Sequence, residues 1–414
     1  MTKIEELIKQ YCPEGVEYRT LGELGIFLRG LSGKSKEDFK NGNEKFITYM
    51  NVFKNIQVDV DVTDTVKIED GEKQNIIQYG DVLFTGSSET LDECGMSSVL
   101  TVNTDEKLYL NSFCFIYRFN DLKLFLPSFT KYLFRSDNLR KQIIKTASGV
   151  TRFNVSKTRM SKIVIPLPPL PVQREIVRIL DKFTELTKEL TKELNKRKLQ
   201  YQWYRDHLLD FGTRGGATRW VTLEDIFNIR NGYTPSKANV EYWQNGVIPW
   251  FRMEDIRTNG RILSDAIQRI TTEAVKNKPF PADSIIVSTT ATIGEHALIT
   301  KPFLSNQRFT CLSLKEEYKD KYNIKFLFYY CCKLDEFCLK NVNQGNFASV
   351  DMSKFRKFMF PIVSLVEQQR IVSILDRFDK LCNNLSEGLP AEINARQKQY
   401  EFYRDKLLTF NSSV

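Results

Sequence analysis

"VQREIVRILDKFTELTKELTKELNKRKLQYQWYRDHLLDF", Val172 to Phe211, decides how the rest of the chain is read. Apolar residues at Val172, Ile176, Ile179, Phe183, Leu186 and Leu190 alternate at spacings of four and three. That is the seam of a coiled-coil helix. Leu194 follows Leu190 at four, a stutter, and the seam resumes through Tyr201, Tyr204, Leu208 and Phe211. Inside the stretch the unit T-K-E-L occurs twice in tandem. Four residues are close to one helical turn, so each unit lengthens the helix and costs the seam only local unwinding. The repeat therefore reads as a length adjuster.

The same helix occurs again. "VQREIVRILDKF" (172–183) matches "EQQRIVSILDRF" (367–378), and "QYQWYRDHLLDF" (200–211) matches "QYEFYRDKLLTF" (399–410). The offsets are 195 and 199, so the second copy is four residues longer between its matching ends. Its seam runs Ile371, Ile374, Phe378, Leu381, Leu385, Leu389, Ile393, Tyr400, Tyr403, Leu407 and Phe410. Gly388 and Pro390 in "EGLPAEI" predict a kink or break there, where the extra turn is absorbed. Weaker echoes lie upstream: "EYRTLGEL" with "RWVTLEDI", "GDVLFTGSSET" with "ADSIIVSTTAT", and "ASGVTRFNVSKTRMSKIVIPLP" with "NQGNFASVDMSKFRKFMFPIV". The order is module, helix, module, helix, the modules divergent and the helices alike. About 38 residues make a rod of roughly 57 Å. Two such rods in one chain close most simply as an antiparallel pair with a module at each end, and the N- and C-terminal segments are expected to lie near one another. The competing arrangement packs each rod on its own module.

The remaining composition narrows the function. The chain has 414 residues, 42% hydrophobic and 27% charged, enough for two or three folded domains. No secretory leader is visible, and no uncharged run approaches the roughly 20 residues that span a bilayer. Eight Cys without a C-x-x-C pair argue against a zinc ribbon or redox motif, and "FYYCCKLDEFC" reads as thiols packed in a helix core; a reducing cytoplasm fits. "GLSGKS" lacks the first Gly of a phosphate-binding loop, since Leu28 stands there. The two histidines, His207 and His296, are far apart in sequence, and neither a nucleophile elbow nor a nuclease carboxylate cluster is apparent. The net charge of +9 is compatible with nucleic acid. The modules alternate β-rich runs with loops carrying Asn, Gln, Ser, Thr, Arg and Lys, groups suited to base edges and phosphates. The chain reads as a binder without catalysis.

These motifs resemble the specificity subunit of a type I restriction–modification system. "IVIPLPPLPVQREIVRILDKF", its copy "FMFPIVSLVEQQRIVSILDRF", the "YRDHLL" and "YRDKLL" endings, "GLPAEI" and the tandem "TKEL" carry the resemblance over the whole chain. It implies an α+β fold with two mixed target recognition domains (1–165 and 214–360) and two long antiparallel coiled-coil spacer helices (166–213 and 361–414), related by a pseudo-two-fold. It implies a bipartite, asymmetric DNA site, adenine methylation and restriction by partner subunits, and no catalysis in this chain. The partners implied are double-stranded DNA, two methyltransferase subunits and optionally two restriction subunits, without a membrane. S-adenosylmethionine, ATP and Mg2+ belong to those partners, with no cofactor or metal in this chain, and the setting is bacterial or archaeal cytoplasm. A methyltransferase-only or related defence system is the alternative; a cryptic nuclease is the rival from the enzyme class.

The candidate DNA-contacting residues are Lys34, Lys36, Ser87, Ser88, Arg152, Asn154 and Lys157 in the first module. In the second they are Lys237, Arg252, Thr289, Thr290, Asn306, Gln307, Arg308, Asn346, Ser349 and Lys354. The ruler is assigned to Thr187, Leu190, Thr191, Leu194, Gly388 and Pro390. Deleting Thr191 to Leu194 removes about 6 Å of helix and turns the downstream chain by about 40°. A base pair rises about 3.4 Å and turns by roughly 35°. The deletion variant is expected to methylate the same two half-sites with a spacer about one to two base pairs shorter. Methylome sequencing checks this, and an unchanged spacer removes the ruler role.

Overall fold

The computed structural model describes residues 3–212, 219–343, 348–383 and 387–413. Two compact units emerge, Met1–Thr187 with Arg396–Val414, and Lys188–Ala395. The first division falls after Thr187, inside the leading T-K-E-L unit.

Each unit contains an antiparallel sheet of the same strand order. In the first it runs Gly25–Arg29, Cys114–Phe119, Val82–Thr85, Ser97–Val99. In the second it runs Phe227–Asn231, Phe309–Leu314, Ser284–Ser288, His296–Ile299, with Ile262–Leu263 added in parallel. A three-stranded sheet accompanies each: Thr65–Val66, Glu44–Ile47, Leu108–Leu110 in the first unit and Arg269–Ile270, Ile248–Phe251, Leu304–Ser305 in the second. The central strands are buried on both faces, which is why they read as continuous apolar runs and not as alternation. Ile285, Val287, Leu298 and Leu312 pack in the cluster that contains the helix Ile324–Lys340, while Ile286, Ala297, Ile299 and Cys311 pack in the cluster of the smaller sheet. Cys331, Cys332 and Cys338 are buried thiols of that helix, and burial pushes the Cys338 thiol up to about 12.

Four helices carry the framework: α1 (Leu170–Leu208), α2 (Ile324–Lys340), α3 (Leu365–Asn383) and α4 (Leu389–Leu407). The second rod is thus broken where Gly388 and Pro390 predict it. Gly388 has φ +86°, and a Cβ there would sit 2.5 Å from the Lys380 carbonyl oxygen. Pro390 occupies the first turn of α4, where its missing N–H costs nothing. Leu385, placed in the seam from sequence, lies outside the described residues.

In the first unit Phe183 of α1 stacks on Tyr403 of α4 at 5.4 Å. In the second, Phe378 of α3 stacks on Tyr204 of α1 at 5.3 Å. It is the same aromatic pair with the two repeats exchanged, and early α1 meets late α4 while late α1 meets α3. One part of the sequence pattern is corrected. Leu180 and Leu375, outside the predicted seam, are fully buried, as are Ile176 and Ile371. Their stripe packs in the module cores, so the first turns of α1 and α3 serve their own modules and a partner helix at once.

Two side chains per repeat fasten helix to module. Gln173 is fully buried; its Oε1 accepts from the Leu126 N–H at 2.9 Å and its Nε2 donates to the Leu124 and Pro168 carbonyls, both at 2.8 Å. Gln368, 195 residues on, is also fully buried; it accepts from the Asn323 N–H at 2.8 Å and donates to the Lys321 and Val363 carbonyls at 2.8 and 2.7 Å. Two turns later Asp181 accepts from Lys131 and the Tyr132 hydroxyl, and Asp376 from Lys325 and the Tyr329 hydroxyl. Tyr18 donates to the Phe410 carbonyl at 2.8 Å, and Val16 pairs with Ser412, so the terminal segments adjoin as expected.

Gln368→Leu leaves three backbone groups without partners inside the second unit. An unsatisfied buried group costs about 1–3 kcal/mol, so a loss of about 2–4 kcal/mol is expected, read as a lower urea midpoint at unchanged slope. A midpoint equal to that of the unmodified chain dismisses the clamp.

Candidate nucleic-acid interface

The repeat architecture puts equivalent loops beside equivalent strands. In the first unit Ser87–Ser88 pairs with Phe153–Val155, which pairs with Ala147–Ser148, a three-stranded ribbon at the end of the central sheet. Arg152 sits in its turn. The Arg152 Nε donates to Ser87 Oγ at 3.0 Å, and its guanidinium lies 5.4 Å from the Phe113 ring centre. Tyr49 donates to the Ser87 carbonyl at 2.8 Å. Asn154 is exposed beside them, its Nδ2 3.4 Å from the Arg152 carbonyl. Lys157 opens the short helix after the ribbon and lies over the Phe115 ring at 5.3 Å. Desolvation, with Arg29 nearby, pulls its ammonium below the usual lysine range. Ser87, Ser88, Arg152, Asn154 and Lys157 thus belong to one neighbourhood. Lys34 and Lys36 belong to another. Lys34 is 7% exposed and paired with Glu72 at 2.5 Å, and Gln74 and Lys34 hold that carboxyl down to about 2. Lys36 is exposed before the turn Glu37–Phe39.

In the second unit Ser349–Val350 pairs with Val342–Asn343 in the same register, 195 residues on, and Thr290 bridges Ser349. The Ala291 N–H donates to the Ala348 carbonyl at 3.2 Å, and Ala291 is held at φ +67°, a left-handed backbone that alanine rarely adopts. The Thr289 hydroxyl bonds that of Thr310 at 2.9 Å, and its N–H donates to the Arg308 carbonyl at 3.0 Å. Asn306 Oδ1 accepts from the Arg308 N–H, and the Asn306 N–H donates to the Phe251 carbonyl beside Arg252. Gln307 accepts from the Thr234 hydroxyl at 2.5 Å. Lys354, in the helix Met352–Arg356, is 3.9 Å from Asp351. Thr289, Thr290, Arg308, Asn306, Gln307, Arg252 and Ser349 therefore form one connected set of loops. Asn346 lies outside the described residues.

Four of the ruler residues lie along one helix. Thr187 donates to the Phe183 carbonyl at 2.9 Å, Thr191 is exposed, and Leu190 and Leu194 are half-buried, all within unbroken α1. Sequence reasoning missed Tyr49 and Phe113, whose contacts with Ser87 and Arg152 are tertiary, and Trp243, Trp250 and Gln268, which line a cleft with Lys237 and Arg252. The closeness of two tryptophans in "YWQNGVIPW" was the available signal. Among the described residues no group of three His, Cys, Asp or Glu side chains is placed to hold a metal ion, and no helix is long and apolar enough to cross a membrane.

Two modules share one topology, each fastened to the helices of its own unit and each carrying a polar loop cluster. The chain belongs to the family described as "Type I restriction modification DNA specificity domain", whose model matches residues 13–197 and again 219–395. It is 54% identical over 215 residues to the type I restriction enzyme EcoprrI specificity subunit of Escherichia coli, covering 50% of this chain and 53% of that one. It is 42% identical over 271 residues to the EcoR124I/EcoR124II specificity subunit of the same organism, covering 62% and 65%. The matches thus span about half and somewhat under two thirds of these relatives. Among solved structures, one described as the structural basis of complex assembly and conformational transition of the type I R-M system superposes with a TM-score of 0.63 at 18% identity, covering 95% and 97%. The type I restriction–modification S subunit from M. genitalium does so at 0.51 and 15%, covering 95% and 96%. These structures share the fold.

Proposed function

We propose that the chain is the DNA-reading subunit of a type I restriction–modification complex, each module reading one half of a bipartite, asymmetric site. The observation that carries this is the duplicated loop cluster. Ser87, Ser88, Arg152 and Asn154 lie on a ribbon of one module whose counterpart in the other holds Thr290 and Ser349, with Thr289 and Arg308 bonded beside it, and the side chains differ. Equal scaffolds with unequal polar loops suit two different half-sites. Arg, Asn and Gln match base edges, hydroxyls and Lys match phosphates.

The chain carries no chemistry of its own in this reading. Methyl transfer from S-adenosylmethionine, and ATP-driven restriction where it exists, belong to partner subunits in the cytoplasm. Two copies of one methyltransferase partner are supported by the repeat. Trp203 on α1 and Phe402 on α4 occupy equivalent positions in "QYQWYRD" and "QYEFYRD" and are 60% and 62% exposed. Large aromatics so exposed and so duplicated suit one anchor for each of two identical partners.

Arg152→Ala is expected to relax only one half of the methylated motif, and Arg308→Ala only the other, each by roughly 1–3 kcal/mol of discrimination. Methylome sequencing of strains carrying each variant reads this. A single contiguous motif, or equal weakening of both halves by Arg152→Ala, contradicts the two-reader assignment. Native mass spectrometry of the co-expressed complex tests the partners: Trp203→Ser and Phe402→Ser are each expected to leave one methyltransferase subunit bound in place of two. A divalent-metal-dependent cleavage assay on the chain alone is expected to show intact DNA; cutting overturns the non-catalytic role.

A further inference from the structure

Both modules hold an edge-to-face aromatic pair at equivalent places on the smaller sheet. In the first, Phe39 and Phe46 have ring centres 5.0 Å apart; in the second, Trp243 and Trp250 are 4.9 Å apart. The backbone around them matches too. The Phe46 N–H donates to the Asp64 carbonyl, and the Trp250 N–H to the Gln268 carbonyl. The Asn111 N–H donates to the Ile47 carbonyl, and the Asn306 N–H to that of Phe251. The pair is therefore part of the shared scaffold.

What surrounds it differs. In the first module Leu31, Val66, Tyr109, Ile68 and Ile76 close over the phenylalanines, a small apolar core. In the second the tryptophans open into a cleft of about 390 Å3 with Lys237, Val240, Arg252 and Gln268 as its other walls. That volume is in the range of small-ligand sites. Trp250 is 4% exposed and fixed by its Nε1–H to the Tyr233 carbonyl at 3.1 Å, and Trp243 donates to the Ser236 carbonyl at 3.0 Å, so both rings are held rigid. Arg252 lies 5.8 Å from the Trp250 ring centre; its terminal nitrogen pairs with Glu254, while its Nε is buried without a partner. The Gln268 amide is half-buried on the cleft wall. Lys237 is exposed at the rim.

Rigid indole walls, an amide able both to donate and to accept, an unfilled guanidinium N–H and a rim cation match one chemical object, a nucleobase with its flanking phosphates. We infer that this cleft takes a single base of the second half-site, unstacked from the duplex, stacked on Trp243, with the buried Trp250 holding that ring from behind. Gln268 reads the edge of the base, and Lys237 and Arg252 hold the adjoining phosphates. The inference rests on the second module being a DNA reader. It makes that module's specificity depend on deforming the duplex at one position, a requirement that the closed Phe39–Phe46 core does not impose on the first. Arg252 is one chain step from Phe251, whose carbonyl anchors Asn306, so the base would be held next to the polar loops already described.

The test uses the full chain assembled with its methyltransferase subunits and duplexes carrying the motif found by methylome sequencing. A single abasic position is moved through the second half-site one nucleotide at a time. At one position the abasic duplex is expected to bind about 5- to 150-fold more weakly than the intact one, the range that loss of a stacked base gives. At that position alone Trp243→Ala is expected to bind intact and abasic duplexes equally. Gln268→Ala keeps the stacking indole and is expected to lose base preference at the same position while still discriminating the abasic duplex. A Trp243→Ala loss that is uniform over all positions overturns the cleft, as does failure of that variant to assemble with the methyltransferase. Should Trp243→Ala melt early, unchanged base preference in Gln268→Ala overturns the inference by itself. If the unmodified complex does not distinguish the motif from scrambled duplex, the DNA-reading function fails; if it does, but no position couples to Trp243 or Gln268, only the cleft assignment fails.

Discussion

The structure depends on a buried amide used twice. Gln173 and Gln368 each meet one N–H and two carbonyls at the point where a module's loops reach its helix. These backbone groups cannot reach water, and a buried peptide group without a partner is costly. A glutamine supplies one acceptor and two donors on one planar head, the complement of the three groups present. Asp181 and Asp376 add a second fixed point two turns along, each accepting from a lysine and a tyrosine of the module. Each helix is thereby set in both direction and rotation against its module.

With the helices so held, the modules can differ wherever the sheet does not constrain them. The central strands keep their order and register in both units, because they are covered on both faces and a slip would bury the wrong side chains. The loops at the strand ends carry no such restriction. Ser87 in one module and Thr290 in the other occupy corresponding sites, and Phe113 in the first answers to Arg308 in the second, so the same backbone presents different groups. The same freedom turns a closed phenylalanine pair into an open tryptophan cleft while leaving the hydrogen bonds beneath it unchanged.

The fold was more legible than the site. The four–three spacing, the offsets of 195 and 199 and the Gly388–Pro390 break all survive in the structure, because helical period and backbone chemistry are local properties. Leu180 and Leu375 stand outside the seam read from the sequence, because their burial depends on a module surface that periodicity does not record. Among the candidate contacts, Ser87 with Arg152 and Thr289 with Arg308 were brought together by strand pairing. Lys34 instead pairs with Glu72, a partner 38 residues away that no local pattern announces.

By itself the sequence determined that the chain is a duplicated module-and-helix protein whose two helices share one task and whose two modules do not. Repetition and period are properties of the linear chain, so they are fully present there. Only the tertiary structure decided which face of each helix serves its own module, which polar loops share one surface, and that one aromatic pair is sealed while its counterpart is open. Those outcomes depend on residues far apart in sequence competing for the same space and the same hydrogen-bond partners, and that competition exists only once the chain is folded.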